Sequence, residues 1–189
     1  MTDSAGDAFG ALLFYPAIAE GDGASYDGSG APYPAVVFGH GFFQTPDRYH
    51  GTLEHLATWG YFVVAPTSHT GLAPDHRAFA DDLSRVLRWL TAQHADAASW
   101  LAGQVDIAHC GASGHSMGGG ATLLAAASDP AIRAVANLAA ADTRPSARET
   151  IGDIGVPIAF IVGSEDAIVP PSSTFELYRA AAAPKQFAT

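Results

Sequence analysis

Residues 109–120 of the sequence read HCGASGHSMGGG and contain the pattern Gly-x-Ser-x-Gly at Gly114, Ser116 and Gly118. A short run typical of a buried strand precedes the serine, and an alanine-rich segment that favours a helix follows it. A serine at such a sharp turn stands exposed in strained backbone geometry, and the two glycines remove β-carbons that would collide. The first amides of the new helix can stabilise a negatively charged oxygen there. The stretch therefore predicts a nucleophilic Ser116, with an ordinary glycine-rich turn as the alternative.

Length and composition favour one globular domain over residues 1–189, since 48% of the residues are hydrophobic. The net charge of −10, with only nine Lys and Arg, disfavours binding to nucleic acid or to an anionic membrane surface. The apolar runs are too short to span a bilayer. The N-terminus lacks the basic start and apolar stretch of a signal peptide. Cellular location is therefore left open between a cytoplasmic protein and a trimmed mature form.

Cys110 is the only cysteine, so no disulfide can form within the sequence, and its place in a strand predicts a small buried thiol. The eight histidines do not have the spacing of metal ligands. His50 and His55 are five residues apart, which puts them on poorly matched helix faces, and the pattern His-Glu-x-x-His is absent. We expect neither a metal nor a cofactor.

Apolar runs alternate with helical patterns along the chain. The predicted strands are residues 9–16, 35–39, 61–66, the run before the serine, 132–138, 157–163 and a last strand opening at 185. The predicted helices are residues 47–59, one opening at 74–75, one following the serine, and 172–183. The clearest helix carries an apolar stripe formed by Phe79, Leu83, Val86, Leu87 and Leu90. This alternation predicts a mainly parallel α/β sheet with helices on both faces and its chemistry beyond the carboxyl ends of the strands.

Acyl transfer through a serine needs a base, an acid that orients the base, and donors for the oxyanion. The acid is expected after a late strand, and Asp166, which follows the predicted strand 157–163, is the best candidate. Glu165 and Asp142 are the alternatives, and any of the three could instead be a solvated carboxylate or a helix cap.

The oxyanion donors are expected to be two backbone amides. One belongs to the residue after the nucleophile, Met117, and the other to a loop that follows an early strand. Residues 39–43 (GHGFF), which we call the oxyanion loop, follow the predicted strand 35–39, and Phe42 is the candidate there. The alternative is an ordinary glycine turn with two core phenylalanines.

The base is missing from the place where it is expected. In this kind of fold the histidine follows the acid in the chain, but all eight histidines precede Asp166. His115 adjoins the serine, yet backbone geometry points its side chain away from the neighbouring hydroxyl. His40 and His69 are placed where they could line the cleft.

We therefore expect the sequence to be a fragment that stops before the histidine and lacks the final strands and a helix. A missing strand would leave an exposed sheet edge near Gln186 and Phe187.

Four segments together resemble one group of enzymes: residues 37–42, 60–66, 114–120 and 163–170. They are similar to the bacterial cutinase and polyester-hydrolase branch of the α/β-hydrolases, close to chlorophyllase-like and dienelactone-hydrolase-like enzymes. The likeness covers nearly the whole chain from about residue 10, and the segment GHSMGGG is its most specific part. Residues 184–187 resemble the strand that these enzymes place just before their catalytic histidine.

The resemblance implies a set of roles for residues of this sequence: Ser116 as nucleophile, Asp166 as triad acid, the amides of Phe42 and Met117 as oxyanion hole, and His115 and Ile168 as lining of the ester-binding groove. The sequence also departs from the group. A tryptophan that walls the groove in many polyester hydrolases corresponds to Ala141, and the insertion around residues 22–30 is longer than expected. Likeness to this group slightly favours a secreted mature form.

The sequence thus predicts a carboxylic-ester hydrolase that works through an acyl-enzyme on Ser116 and acts on small or polymeric esters. An apolar cleft lined by Phe42, Met117 and Ile168 favours short acyl or polyester-like substrates. A lipid or pigment esterase of the chlorophyllase or acetylhydrolase type is one alternative. A non-catalytic binding protein of the same fold, without the triad histidine, is another.

Overall fold

The computed structural model describes residues 1–2, 6–182 and 184–189. It contains one seven-stranded sheet in the order β1-β3-β2-β4-β5-β6-β7. The strands are β1 (Ala11–Phe14), β2 (Tyr33–Gly39), β3 (Phe62–Pro66), β4 (Val105–His115), β5 (Ala134–Leu138), β6 (Ile158–Ile161) and β7 (Lys185–Ala188). β1 runs antiparallel to β3, and all other neighbours in the sheet are parallel. The mainly parallel sheet predicted from the sequence is confirmed.

Helices cover both faces of this sheet. They are α1 (His50–Thr58), α2 (His76–Ala95), α3 (Met117–Ser128), α4 (Ala147–Thr150) and α5 (Pro171–Ala180), with short 3-10 helices at Pro46–Tyr49 and Ile151–Asp153. Val37 and Phe38 are adjacent on β2 and therefore point to opposite faces. Val37 lies in the larger core cluster with Leu83 of α2, whereas Phe38 packs with Leu53 of α1.

The stripe predicted for α2 is buried as expected, from Phe79 to Leu90. Asp75 caps this helix, since its carboxylate accepts a hydrogen bond from the amide of Ala78 at 2.9 Å. Cys110 is buried in β4, and this burial raises the pKa of its thiol. The described part of the chain contains no helix with both the length and the hydropathy needed to cross a membrane.

Several element boundaries differ from those predicted. The predicted helix 47–59 is divided into the 3-10 helix Pro46–Tyr49 and α1, because Tyr49 adopts φ −107° and ψ 11° instead of helical angles. α4 and the 3-10 helix after it were not predicted, since segments this short carry no measurable periodicity. The predicted helix 172–183 corresponds to α5, and Ala183 lies outside the described residues. β7 is the outermost strand on its side of the sheet.

Candidate active site

Ser116 lies between the last residue of β4 and the first residue of α3. Its φ of 54° and ψ of −120° put a non-glycine residue in a strained conformation of the kind found at functional turns. Its amide donates to the carbonyl of Leu138 at 3.0 Å, and its carbonyl accepts from the amides of Gly120 and Ala141. These three hydrogen bonds fix the backbone, and the residue remains partly exposed to solvent.

The turn around the serine, residues 114–118, is called the elbow below, and it closes so tightly that its glycines are required. A β-carbon on Gly114 would lie 2.5 Å from the carbonyl oxygen of Gly118. A β-carbon on Gly118 would overlap the backbone carbonyls of Gly39 and His40. The start of α3 therefore packs directly on the oxyanion loop, and only glycine permits that approach.

A buried polar group holds the start of α3 on β5. The side-chain Nδ2 of Asn137 donates to the carbonyl of Gly119 at 2.9 Å, and the hydroxyl of Thr122 lies 2.8 Å from the side-chain Oδ1 of Asn137. Asn137 and Thr122 are fully buried. Because each polar atom of this group has a partner, it fixes the position of the elbow at little cost.

The two candidate oxyanion donors come from the oxyanion loop and from α3. Within the described residues, neither the amide of Phe42 nor that of Met117 donates to a carbonyl or a side chain. Met117 can offer only its backbone amide to the site, because its side chain is buried in the core. The expectation that this side chain lines the cleft is therefore wrong. The ring of Phe42 is 49% exposed, and Ile168 is 91% exposed, so both offer apolar surface to solvent.

His40 and His69 do not line an open cleft. The side chain of His40, within the oxyanion loop, is fully buried, with Nδ1 3.0 Å from the carbonyl of Gly41 and Nε2 2.8 Å from the carbonyl of Ser68. His69 has Nε2 3.4 Å from the carboxylate of Asp82, which is itself fully buried. Both rings are thus engaged in holding the loops that follow β2 and β3.

His115 contacts a residue that the sequence did not single out. Its Nδ1 lies 2.8 Å from the hydroxyl of Tyr49, which also accepts a hydrogen bond from the amide of Gly41 at 2.9 Å. Burial lowers the pKa of His115, and the charge of Asp166 raises it in part. Burial also raises the pKa of Tyr49. Only a contact across 66 residues joins Tyr49 to His115, so no local pattern could have indicated it.

Asp166 lies in the loop after β6, and its side chain is held by backbone. One carboxylate oxygen accepts from the amides of Ile168 and Val169, both at 2.9 Å. The hydrogen bond from the Val169 amide is the largest cause that lowers the pKa of Asp166 below its usual value, followed by the one from Ile168. The nearby His115 lowers this pKa further. The carboxylate is therefore ionised at neutral pH and stands near the ring beside Ser116.

The two alternative acids differ from Asp166 in their surroundings. The Asp142 carboxylate accepts from the amides of Thr143 and Arg148 and from the hydroxyl of Ser146, and so it caps α4. Glu165 is exposed on the surface of the loop. The local cap explains Asp142 without any part in chemistry.

Comparisons with known proteins cover most of the chain. A sequence profile of a family described as PET hydrolase-like matches residues 11–187. The chain is 32% identical over 145 residues to Cutinase est1 of Thermobifida alba, which is 76% of this chain and 46% of the cutinase. It is 31% identical over 170 residues to the bis(hydroxyethyl) terephthalate hydrolase of Streptomyces coelicolor, which is 88% of this chain and 48% of that hydrolase. A match of 57 residues at 39% identity links it to Chlorophyllase-1 of Arabidopsis thaliana, over 30% of this chain and 18% of the chlorophyllase. The chain spans less than half the length of each of these relatives.

Proposed function

Because this chain belongs to the PET hydrolase-like family, a group of α/β-hydrolases, we propose that the protein hydrolyses carboxylic esters through an acyl-enzyme on Ser116. The observation that carries the proposal is the strained φ of 54° at Ser116, partly exposed between β4 and α3. A non-glycine residue adopts such a conformation only where surrounding structure imposes it, and nucleophilic serines of this fold class stand at such turns.

The proposed reaction begins when the Ser116 oxygen attacks the ester carbonyl carbon. The carbonyl oxygen becomes an oxyanion, which the free amides of Phe42 and Met117 stabilise by hydrogen bonds. The ester C–O bond then breaks, the leaving oxygen takes up the proton that the serine hydroxyl lost, and the alcohol departs while the acyl group stays on Ser116. Water then attacks the acyl-enzyme and releases the carboxylic acid, which restores the hydroxyl.

A serine of this kind also needs a general base, which Asp166 would orient. None of the eight histidines follows Asp166 in the sequence. The two histidines beside the elbow and the oxyanion loop already have partners: His115 contacts the hydroxyl of Tyr49, and His40 contacts the carbonyl of Ser68. The proposal therefore assigns a nucleophile, an acid and oxyanion donors, and it assigns no base.

The proposed substrates are esters with short or polymeric aliphatic acyl parts. The exposed ring of Phe42 and the exposed side chain of Ile168 supply apolar surface beside the elbow. Ala141 offers only a methyl group next to Ser116, so an aromatic acyl ring finds little to stack on. Two relatives are named as a cutinase and a bis(hydroxyethyl) terephthalate hydrolase, which supports an ester substrate without fixing its acyl part.

The substrate assignment predicts that p-nitrophenyl butyrate is hydrolysed with a higher kcat/KM than a long-chain p-nitrophenyl ester or p-nitrophenyl benzoate. The reason is that a shallow apolar surface binds a short chain fully but leaves a long chain in water. Preference for the long chain would instead support a lipid esterase, and preference for the benzoate would contradict the role given to Ala141.

The test of the nucleophile is covalent labelling of the full-length protein with a fluorophosphonate, followed by peptide mass spectrometry. The label is expected on Ser116 and is lost in Ser116→Ala. Ser128→Ala, at the other end of α3, is the matched control and should label like the wild type, because its hydroxyl only bonds carbonyls of its own helix. No label on the wild type would overturn the proposal and favour a non-catalytic binding protein.

A further inference from the structure

The hydroxyl of Tyr49 joins two parts of the candidate site that come from distant parts of the chain. It accepts a hydrogen bond from the amide of Gly41 in the oxyanion loop at 2.9 Å, and it lies 2.8 Å from Nδ1 of His115 in the elbow. Tyr49 itself stands at the break between the 3-10 helix and α1. A single oxygen thus connects the loop that carries one candidate oxyanion donor with the residue next to Ser116.

The two hydrogen bonds of the Tyr49 hydroxyl bear on which ring nitrogen of His115 carries the proton. A phenol has one proton and can accept as well as donate. The Gly41 amide donates to the phenol oxygen, and Nδ1 of His115 is the acceptor within reach of the phenol proton. A neutral imidazole that accepts at Nδ1 carries its own proton on Nε2. No residue in the described ranges occupies that Nε2–H.

The Tyr49 hydroxyl forms a bridge between Gly41 and His115, and this bridge leaves no room for a side chain at position 41. A β-carbon on Gly41 would lie 2.9 Å from the Tyr49 oxygen and 3.0 Å from Nδ1 of His115. Any other residue at position 41 would therefore push the two partners apart. Burial favours the neutral forms of both rings, since it lowers the pKa of His115 and raises that of Tyr49.

We propose that Tyr49 is a positioning residue for ester hydrolysis, which fixes the oxyanion loop through Gly41 and holds His115 in the tautomer that donates from Nε2 to the bound ester. This inference rests on the proposed function, because the ester is the ligand that would receive the Nε2–H. Tyr49 acts through the two groups it holds and does not touch the reacting atoms.

The first experiment reads the tautomer in the wild-type protein without any substitution. Long-range ¹H–¹⁵N correlation of the imidazole at neutral pH should show the His115 proton on Nε2 and an unprotonated Nδ1. In Tyr49→Phe the same spectrum should show a mixture of the two tautomers. A proton on Nδ1 in the wild type overturns the proposal. This wild-type measurement depends neither on a folded variant nor on esterase activity.

The second experiment measures hydrolysis of p-nitrophenyl butyrate by the full-length protein. Tyr49→Phe should lower kcat by about tenfold with KM within about twofold, because the lost hydrogen bonds orient groups that act on the transition state. Tyr15→Phe is the matched control, since this half-buried tyrosine also loses one hydrogen bond, to the carbonyl of Ala24, far along the chain from the site. Equal kcat values for the two variants would overturn the proposal.

A double-mutant cycle separates positioning from general destabilisation. Because Tyr49 holds both the Gly41 amide and His115, Tyr49→Phe combined with His115→Ala should lower kcat/KM by clearly less than the product of the two single changes. If the two losses multiply, to about a hundredfold from two tenfold effects, the link between Tyr49 and His115 is refuted. A wild type that neither labels nor hydrolyses refutes the proposed function and with it the positioning of groups for ester hydrolysis by Tyr49. The tautomer spectrum still decides whether Tyr49 donates to Nδ1 of His115.

Discussion

At the scale of single residues, His115 shows how the surroundings of one ring set its charge. Its ring is half-buried beside the hydroxyl of Tyr49, and burial lowers its pKa. The Asp166 carboxylate acts in the opposite direction and does not cancel the effect of burial. The folded protein therefore binds a proton at this ring less readily than the unfolded chain does.

This lowered pKa predicts how stability changes with pH. As the pH falls through the ordinary histidine value of about 6.5, the unfolded chain takes up a proton at His115 before the folded protein does, so stability is lost. His115→Gln should remove this contribution, and the variant should lose less stability than the wild type between about pH 7.5 and 5.5. Urea unfolding at several pH values measures the difference.

The control for this measurement is His55→Gln, which changes an exposed histidine of α1. The two variants are compared over the same pH range. If His115→Gln follows the wild-type profile, the lowered pKa of His115 is contradicted.

The sequence located some residues of the candidate site and missed others for a physical reason. Ser116 and Asp166 could be predicted because a local motif and a position after a strand mark them. Tyr49 could not, since its hydroxyl meets His115 across 66 residues, and no spacing or periodicity records such a contact. His40 was expected to be able to line the cleft, but the folded chain buries its ring between two carbonyls, which no local pattern indicates.

At the scale of elements, the contact between α3 and the end of β2 determines where the elbow stands. Gly118, in the first turn of α3, lies against the carbonyls of Gly39 and His40 with no room for a β-carbon. The helix start and the oxyanion loop are therefore held at the distance of bare backbone.

A single added methyl group should separate these elements. Gly118→Ala is expected to destabilise the protein by about 2–4 kcal/mol, since the methyl group meets backbone atoms that cannot rotate away. Fluorophosphonate labelling of Ser116 should also slow, because the two candidate oxyanion donors move apart. Thermal or urea unfolding measures the first effect, and labelling rates measure the second.

Gly155→Ala is the matched control, since a β-carbon there would meet nothing within 4 Å. It should change stability by no more than about 1 kcal/mol. A Gly118→Ala protein as stable as this control would show that α3 can shift away from β2 at no cost.

The elements themselves were predictable in proportion to their length and regularity. The stripe of α2 gave the longest helix and its buried side, and the continuous apolar runs gave the buried strands β2 and β3. α4 has four residues, which is too few for a helical period to show. The break at Tyr49 lies within residues 47–59, whose pattern favours one continuous helix, and so the sequence did not indicate it.

At the scale of the whole molecule, a buried charge group near Arg85 ties together parts of the chain that are far apart in sequence. The guanidinium of Arg85 lies 3.6 Å from the buried carboxylate of Asp82 and donates to the carbonyl of Thr2 at 3.0 Å. His69, in the loop after β3, approaches the same carboxylate at 3.4 Å. The N-terminal residue Thr2, α2 and this loop thus share one set of polar contacts.

This arrangement predicts that loss of Arg85 is costly as long as Asp82 keeps its buried charge. Arg85→Met should cost about 2–4 kcal/mol, because it leaves the fully buried Asp82 carboxylate without its guanidinium. Arg85→Met combined with Asp82→Asn should recover most of that loss, since the uncompensated charge is gone. Urea unfolding of the single and double variants measures both effects.

Arg88→Met is the control on the same helix. Arg88 also lies 3.6 Å from a carboxylate, that of Asp129, but its side chain is 61% exposed, and such surface pairs contribute about 0–1 kcal/mol. If Arg85→Met costs no more than Arg88→Met, burial of Asp82 is not decisive.

The architecture followed from alternation of strands and helices, which predicts a mainly parallel sheet covered on both faces. The order of strands within the sheet did not follow from it. In the structure β3 lies between β1 and β2, and β1 is antiparallel. Strand pairing depends on contacts between strand edges that form only when the chain folds, so the alternation of strands and helices does not determine the strand order. The contacts around Arg85 also form only in the folded chain, since they join residues 2, 69 and 82, which are distant in sequence.

The burial of Cys110 has a practical consequence for biophysical work on this molecule. The only thiol of the sequence lies in the interior strand β4, where burial raises its pKa and keeps it from forming the reactive thiolate. A cysteine introduced at the fully accessible position 168 would then be the sole target for a maleimide fluorophore. Time-resolved anisotropy of that dye could follow the loop beside Asp166 in a protein whose native thiol needs no prior removal.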